Sequence, residues 1–148
     1  MTAHKTHLIY DVPYADVDMM GFVYYAHYLV YFERARSQML AEMAYPYWEM
    51  EKQGFGLPVI EAHVEYKAPA TYGDRLDIYA AAAWIKPVRL QINCEVYRAG
   101  ALLASGHTVH CCVDMKRKRP TRLPDAFIAA CGGLTAAEKG GYPPGPVK

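Results

Sequence analysis

The sequence has almost no net charge, and it lacks a long apolar run and an N-terminal secretory pattern. Lys and Arg together number 16 against 15 Asp and Glu, and the formal net charge is +1. A chain so balanced has no general field that would attract nucleic acid or an anionic membrane. No stretch approaches the ~18 consecutive apolar residues of a membrane span, and the first residues lack the features of a secretory signal. We therefore expect a cytoplasmic protein with no nucleic-acid partner and no integral membrane association.

Metal-binding and nucleotide-binding motifs are absent as well. The chain contains four cysteines, none of them in a CxxC arrangement, so we expect neither a disulfide framework nor a zinc site. No P-loop and no G-x-G-x-x-G occurs, so any phosphate group would have to be bound by side chains. A G-x-S-x-G elbow is also missing, which argues against the α/β-hydrolase fold.

The first third of the chain has the apolar spacing of helices. Apolar residues recur at intervals of three, four and seven between Phe22 and Met43, and charged residues take the other faces. This spacing predicts one long helix over 22–43. A second, short helix is predicted over 47–53, because Pro46 suits a first helical turn and Gly54 suits a helix end.

The following part of the chain changes to an apolar period of two, which is typical of half-buried strands. Strands are predicted over residues 7–12, 60–66, 76–82, 88–97 and 102–113. The last three are joined by short connections and should form an antiparallel meander. A sheet with one apolar face and one amphipathic helix bury each other's apolar surface if the sheet wraps around the helix. We therefore predict a single α+β domain over 1–131, followed by a flexible Gly- and Pro-rich tail over 132–148.

The segment from Tyr14 to Arg36, YADVDMMGFVYYAHYLVYFERAR, carries the chemistry. Asp16 and Asp18 precede a glycine and then the predicted helix, so a carboxylate should lie near unpaired helix-start N–H groups. Such N–H groups can polarise a thioester carbonyl, while a carboxylate attacks it or activates a water. The alternative is a simple helix cap, in which the Asp oxygen accepts a backbone N–H bond worth ~1 kcal/mol. Spacing alone does not decide between the two.

This segment resembles the motif of hotdog-fold acyl-CoA thioesterases of the 4-hydroxybenzoyl-CoA thioesterase group. It is most similar to the branch found with the Tol-Pal envelope system, whose pattern is approximately Y-x-D-T-D-x-x-G-V-V-Y-H-A-N-Y-L-x-F-F-E-R-A-R. The stretches PVIEAHVEYKAPATYGDRLDI and HTVHCCVDMKRKRPTRLP resemble further parts of the family. The resemblance thus covers roughly residues 7–128, and the combination is more specific than any one motif.

The resemblance implies roles for individual residues. Asp18 corresponds to the catalytic carboxylate, and Asp16 is then structural. Gly21 corresponds to the glycine that lets substrate and backbone approach closely, and the backbone amide of Tyr25 corresponds to the helix-start N–H that polarises the carbonyl. This chain has Tyr25 and His27 where the Tol-Pal branch has His and Asn, which leaves the acyl group open. His27 is a candidate for substrate binding, against the alternative of a packed or solvated residue.

The same resemblance implies a curved antiparallel sheet around one long helix, assembled as a homodimer or homotetramer. It implies hydrolysis of acyl-CoA to a carboxylic acid and coenzyme A, with no metal and no bound cofactor. An acyl carrier protein as the substrate carrier and a non-catalytic acyl-CoA-binding protein are the alternatives. A glutamate from another element serves some hotdog thioesterases, and Glu61 is the second candidate acid here, although the outer face of its strand is the simpler placement.

A basic cluster near the end of the last strand is the candidate site for the phosphates of coenzyme A. Arg and Lys side chains suit such phosphates, because the nucleotide stays at the protein surface. The alternative is a solvated turn with ordinary surface charge. The cluster consists of Lys116, Arg117, Lys118, Arg119 and Arg122.

Overall fold

A computed structural model of the protein describes residues 4–135. It contains three α-helices and eight strands within that range. The helices are α1 (His27–Glu42), α2 (Tyr47–Gln53) and α3 (Asp125–Ala130). The strands are β1 (Lys5–Asp11), β2 (Phe55–Gly56), β3 (Val59–Tyr66), β4 (Arg75–Ile85), β5 (Arg89–Arg98), β6 (Ala101–Cys111), β7 (Val113–Asp114) and β8 (Arg119–Pro120).

Five of the strands form the main sheet, in the order β1-β4-β5-β6-β3, with every neighbouring pair antiparallel. The three longest strands, β4, β5 and β6, follow one another as the predicted meander. Their alternation buries one apolar row, so that Ile78 on β4 lies opposite Val96 on β5 and both are fully buried. The short strands β2, β7 and β8 form a separate three-stranded sheet.

Helix α1 lies against the buried face of the main sheet. Its side chains Tyr31, Phe32, Ala35 and Met39 are all 0% exposed. The helix contacts β1 and β3, the two edge strands, as well as β4 and β5 between them. A sheet that touches one helix from both edges is wrapped around it, and the predicted hotdog architecture is confirmed.

The predicted start of this helix was wrong. The chain becomes helical at His27 and not at Phe22. Val23 and Tyr24 are held outside the helix by other bonds: Val23 N–H donates to the Ala70 carbonyl at 2.8 Å, and Tyr24 N–H donates to the Asp16 carbonyl at 2.9 Å. Because these N–H groups are already engaged, they cannot form the hydrogen bonds of an α-helix. The apolar spacing before His27 therefore has another cause.

The second helix was predicted correctly. It spans Tyr47–Gln53 and ends at Gly54, whose φ of 86° is the left-handed conformation that glycine adopts without strain. A stop of this kind is readable from sequence, because it depends on local backbone geometry alone.

Strand β3 packs unusually close to its neighbour. A Cβ at Gly106 on β6 would lie 2.0 Å from the carbonyl oxygen of His63 on β3 and 3.0 Å from the ring of Phe32. Only glycine fits at that distance, so this residue allows β3 to join the sheet directly over α1. No helix within residues 4–135 is long and apolar enough to span a membrane.

Only the beginning of the predicted flexible tail lies among the described residues. Gly133 N–H donates to the Ile128 carbonyl at 2.8 Å. Thr135 pairs with Ile85 twice, through its own N–H at 2.9 Å and through a hydroxyl that accepts the Ile85 N–H at 2.8 Å. The rest of the predicted tail, residues 136–148, lies outside the described part.

Candidate active site

Asp18 lies in a tight turn that precedes α1 by several residues. An antiparallel bridge joins Val17 to Val23, and Asp18 N–H donates to the Phe22 carbonyl at 2.9 Å. Gly21 N–H closes the turn on the Asp18 carbonyl at 2.9 Å, and Gly21 itself has a φ of 85°. A Cβ there would meet nothing within 4 Å, so the backbone conformation and not crowding calls for glycine.

One oxygen of the Asp18 carboxylate is engaged and the other is not. Oδ1 accepts the Met20 N–H at 2.8 Å. Among residues 4–135, nothing donates to Oδ2 and no cation pairs with it. The bond to Met20 stays inside the turn, and the residue that precedes α1, Ala26, has no side-chain cap. Asp18 therefore does not cap the helix, which was the alternative explanation for its place in the sequence.

Tyr25 lies in the turn that leads into the helix, two residues before α1. Its carbonyl accepts the Tyr28 N–H at 3.3 Å and the hydroxyl of Tyr66, on the edge strand β3, at 2.9 Å. Within residues 4–135, its N–H group makes no hydrogen bond. The amide is therefore free to donate to a ligand, although it belongs to a turn and not to the helix itself.

The charge of Asp18 acts on the hydroxyl of Tyr24, the residue before Tyr25. The pKa of the Tyr24 hydroxyl is raised, first by its hydrogen bond with Tyr25, and the negative charge of Asp18 contributes in the same direction. The carboxylate therefore lies near enough to Tyr24 for its charge to act on that hydroxyl.

Asp16, the other acid of the pair, has a different environment. It is 8% exposed, and its Oδ2 accepts the hydroxyls of Tyr31 at 2.7 Å and Tyr10 at 3.1 Å. Burial, followed by the hydrogen bond to Asp16, raises the pKa of both tyrosines. A carboxylate held by buried hydroxyls has a structural role, as its place in the motif implies. Sequence spacing did not reveal the two tyrosines, which come from β1 and α1.

His27 pairs with Asp16 and not with Asp18. Its Nε2 lies 3.5 Å from Asp16 Oδ1, and its Nδ1 is buried with no hydrogen-bond partner in the described part of the chain. Its contacts are those of a packed side chain at the start of α1. Its predicted part in substrate binding stays a prediction.

Several large apolar side chains beside Asp18 are open to solvent. Met19 and Met20, which follow Asp18 in the same turn, are 104% and 73% exposed. Phe22, Tyr24 and Tyr25 are also exposed. A run of exposed apolar groups of this kind is typical of a surface that a ligand or another subunit covers.

The predicted phosphate-binding cluster lies on the hairpin between β7 and β8. Asp114 Oδ1 accepts the N–H groups of Arg117 at 3.0 Å and Lys116 at 2.9 Å, and these bonds lower the pKa of Asp114. Lys118 turns the chain with a φ of 57°. Arg122 lies 3.5 Å from Asp125. The side chains of Lys116, Arg117, Lys118, Arg119 and Arg122 are exposed, and no hydrogen bond or ion pair joins them to Asp18 within residues 4–135.

Glu61, the second candidate acid, is exposed on β3. Its Oε2 lies 3.8 Å from Nε2 of His107, on the neighbouring strand β6. Nothing joins it to Asp18 within the described residues of this chain.

Comparison with known proteins gives consistent results. The family model described as the thioesterase-like superfamily matches residues 12–131. The acyl-CoA thioester hydrolase YbgC of Escherichia coli O6:H1 is 30% identical over 119 residues, which cover 80% of this chain and 89% of YbgC.

Solved structures show the same fold. The hypothetical protein TT1821 from Thermus thermophilus is 32% identical with a TM-score of 0.83, covering 88% of this chain and 99% of that chain. Slr0204, a 1,4-dihydroxy-2-naphthoyl-CoA thioesterase from Synechocystis, is 26% identical with a TM-score of 0.80, covering 87% of this chain and 96% of that chain.

Proposed function

The chain belongs to the thioesterase-like superfamily, and we propose that it hydrolyses acyl-coenzyme A thioesters with Asp18 as the reacting carboxylate. The observation that carries the proposal is the state of that carboxylate. One oxygen is held by Met20 N–H, which orients the group, and the other oxygen has no partner in the described chain. An oriented acid with one free oxygen beside exposed apolar side chains is suited to react with a bound ligand.

The unpaired amide of Tyr25 supplies the second element. A thioester carbonyl that accepts this N–H becomes more electrophilic, and the negative charge that develops on its oxygen is stabilised there. The carbonyl of Tyr25 is fixed by Tyr28 and Tyr66, which holds the peptide plane in place. A preorganised donor stabilises a transition state without having to reorganise during the reaction.

Two routes use this arrangement. In the first, the free oxygen of Asp18 attacks the thioester carbon, coenzyme A leaves as a thiolate that takes up a proton, and water cleaves the resulting anhydride. In the second, Asp18 removes a proton from a water that attacks directly, and returns it to the leaving thiolate. Both routes consume one water and yield one carboxylic acid and one thiol. The balance is complete without an additional cofactor, and we propose that none is used.

The basic hairpin favours coenzyme A over an acyl carrier protein as the acyl carrier. Its exposed Arg and Lys side chains match the charge of the phosphates, and Asp114 orders the backbone that presents them. Because no hydrogen bond or ion pair joins the hairpin to Asp18 within residues 4–135, this part of the proposal requires coenzyme A to extend over the surface from one to the other.

We further propose that the working form is a homodimer or homotetramer in which β3 is part of the interface. Strand β3 lies at an edge of the sheet, and an uncovered edge presents unpaired backbone groups that favour pairing with another chain. Val59, Ile60 and Tyr66 on this strand are exposed apolar residues. The hydroxyl of Tyr66 bonds to Tyr25, so a second subunit along β3 would lie next to the proposed site.

The test is a thiol-release assay with purified protein over a panel of short, long and aromatic acyl-CoA esters. Asp18→Asn should lower kcat by at least about 100-fold, which is the lower range for loss of a general acid or base. The amide oxygen of Asn can still accept the Met20 N–H, so the turn and the fold should be retained. Asp11→Asn is the matched control, since Asp11 is an exposed acid whose one ion pair within residues 4–135 is with Arg75 on the surface.

Three results would separate the alternatives. Near-normal turnover by Asp18→Asn would refute the role of Asp18. Turnover of acyl carrier protein substrates with none of acyl-CoA would move the activity to the other carrier. Binding of acyl-CoA without any thiol release would identify a non-catalytic acyl-CoA-binding protein.

A further inference from the structure

A cavity lies beside α1, and none of its lining residues belongs to the Asp18 turn. It has a volume of about 650 Å³ and is enclosed by one face of α1, by α2, by the loop before β3 and by the β7–β8 hairpin. This size lies within the roughly 300–1,000 Å³ of small-molecule sites. Most of its lining is apolar and is contributed by Leu40, Pro46, Tyr47, Met50, Leu57, Pro58, Val113 and Met115.

The charged groups in this cavity are not balanced. Its lining includes two cationic side chains, Arg36 and Lys118, and a single carboxylate, that of Glu33. Arg36 is half-buried, and within residues 4–135 it makes no hydrogen bond and no ion pair. Its guanidinium is close enough to the sheet to affect the pKa of both Cys94 and His110, so it extends inward from α1.

Burial lowers the pKa of Arg36, although Glu33 acts in the opposite direction. A guanidinium remains charged in proteins, and a buried charge without a partner costs folding free energy. Such a cost is usual at sites where a ligand completes the interaction. A carboxylate matches a guanidinium in charge and in planar geometry, and it can accept two parallel N–H bonds.

We propose that this cavity binds a molecule with an apolar body and a carboxylate, with the carboxylate paired to Arg36 and the body against the apolar lining. Two sources share this chemistry: the far end of a carboxylate-terminated acyl group on the substrate, and a free carboxylic acid. The first source rests on the thioesterase function proposed above, whereas the second does not.

The binding test uses octanoate and its neutral counterpart 1-octanol with the whole protein, followed by calorimetry and thermal unfolding. The wild type should bind octanoate more tightly than octanol. Arg36→Met should weaken octanoate binding by about 10-fold to 100-fold, as expected for loss of a charge-assisted hydrogen bond. Arg34→Met is the matched control on the same helix, since Arg34 lies over the ring of Tyr10 outside this cavity, and it should bind octanoate as the wild type does.

Stability without ligand gives a second readout that a structural role for Arg36 would not produce. Arg36→Met should unfold at the same temperature as the wild type or higher, because an unpaired charge is replaced by an apolar group of similar length. Glu33→Gln should tighten octanoate binding, because it removes the negative charge nearest to the bound carboxylate. Equal octanoate affinity in wild type and Arg36→Met, or no preference of the wild type for octanoate over octanol, would overturn the proposal.

The source of the carboxylate is identified by kinetics with suberyl-CoA and octanoyl-CoA. If the acyl end occupies the cavity, Arg36→Met should lower the ratio of kcat/KM for suberyl-CoA to that for octanoyl-CoA by about 10-fold. An unchanged ratio together with lost octanoate binding assigns the cavity to a free acid. If no acyl-CoA is hydrolysed, the thioesterase proposal fails. The octanoate binding result still decides whether the cavity binds a carboxylate.

Discussion

Replacement of His110 tests whether a buried imidazole makes this protein sensitive to acid. His110 is fully buried on β6. Its Nδ1 lies 2.9 Å from the Leu57 carbonyl and therefore carries the proton, and its Nε2 lies 2.8 Å from the Thr108 hydroxyl, which donates to it. Burial lowers the pKa of His110 from 6.5 to about 4; the bond to Leu57 opposes this decrease and the nearby Arg36 adds to it.

The direction in which stability changes with pH follows from the lowered pKa of His110. Between pH 6.5 and 4 the unfolded chain binds a proton at this residue and the folded chain does not. The stabilising contribution is therefore complete above pH 6.5 and is lost as the pH falls to about 4. Each pKa unit corresponds to about 1.4 kcal/mol, so the loss is on the order of 3 kcal/mol.

The assay is urea unfolding at several pH values between 7 and 4.5, at one fixed protein concentration. His110→Gln retains a donor for Leu57 and an acceptor for Thr108, and it does not titrate in this range. It should be less stable than the wild type at neutral pH, and the difference in unfolding free energy should narrow by about 2–3 kcal/mol toward pH 4.5. A constant difference for His110→Gln across the range would refute the reasoning.

Two further predictions concern the assembly and the carrier. Ala62→Lys, in the middle of β3, should shift the protein to monomers in light scattering, because a charge on an edge strand opposes pairing with another strand. The control, Ile9→Lys on the other edge strand β1, should leave the assembly unchanged. If both variants keep the wild-type assembly, the interface lies elsewhere. The double variant Lys116→Ala with Arg117→Ala should raise KM for acyl-CoA about 10-fold with little change in kcat, as expected for lost phosphate contacts. The control is Lys52→Ala, at an exposed lysine on α2. If the double variant has the same KM for acyl-CoA as this control, the hairpin does not bind coenzyme A.

The five strands of the main sheet and the short helix α2 could be predicted from sequence because their signals are local, whereas the two-residue strands β2, β7 and β8 were not predicted, and the strand predicted over 102–113 ends at Cys111. Alternation of apolar and polar residues in β4 and β5 reports directly which face is buried, and Gly54 reports a backbone conformation that other residues avoid. The start of α1 could not be predicted in the same way. Apolar residues continue at helical spacing from Phe22, but bonds to the Ala70 and Asp16 carbonyls hold Val23 and Tyr24 outside the helix.

The candidate site shows the same division. The motif predicted Asp18 as the reacting acid and singled out Gly21, since both belong to one short stretch of sequence. The bond from Met20 N–H to Asp18 is local to the turn, whereas the bonds from the Tyr10 and Tyr31 hydroxyls to Asp16 join separate elements, and sequence spacing did not reveal them. The cavity at Arg36 was also not predicted, because the sequence pattern shows only one more charged residue on a helix.

The sequence by itself determined the class of fold, the family and the acid to test, because periodicity and motif spacing are properties of neighbouring residues. Tertiary structure decided which acid is buried, and which half-buried guanidinium makes no hydrogen bond or ion pair within residues 4–135. Those properties depend on which groups surround each charge. The groups come from residues far apart in the chain, so no local sequence pattern predicts them.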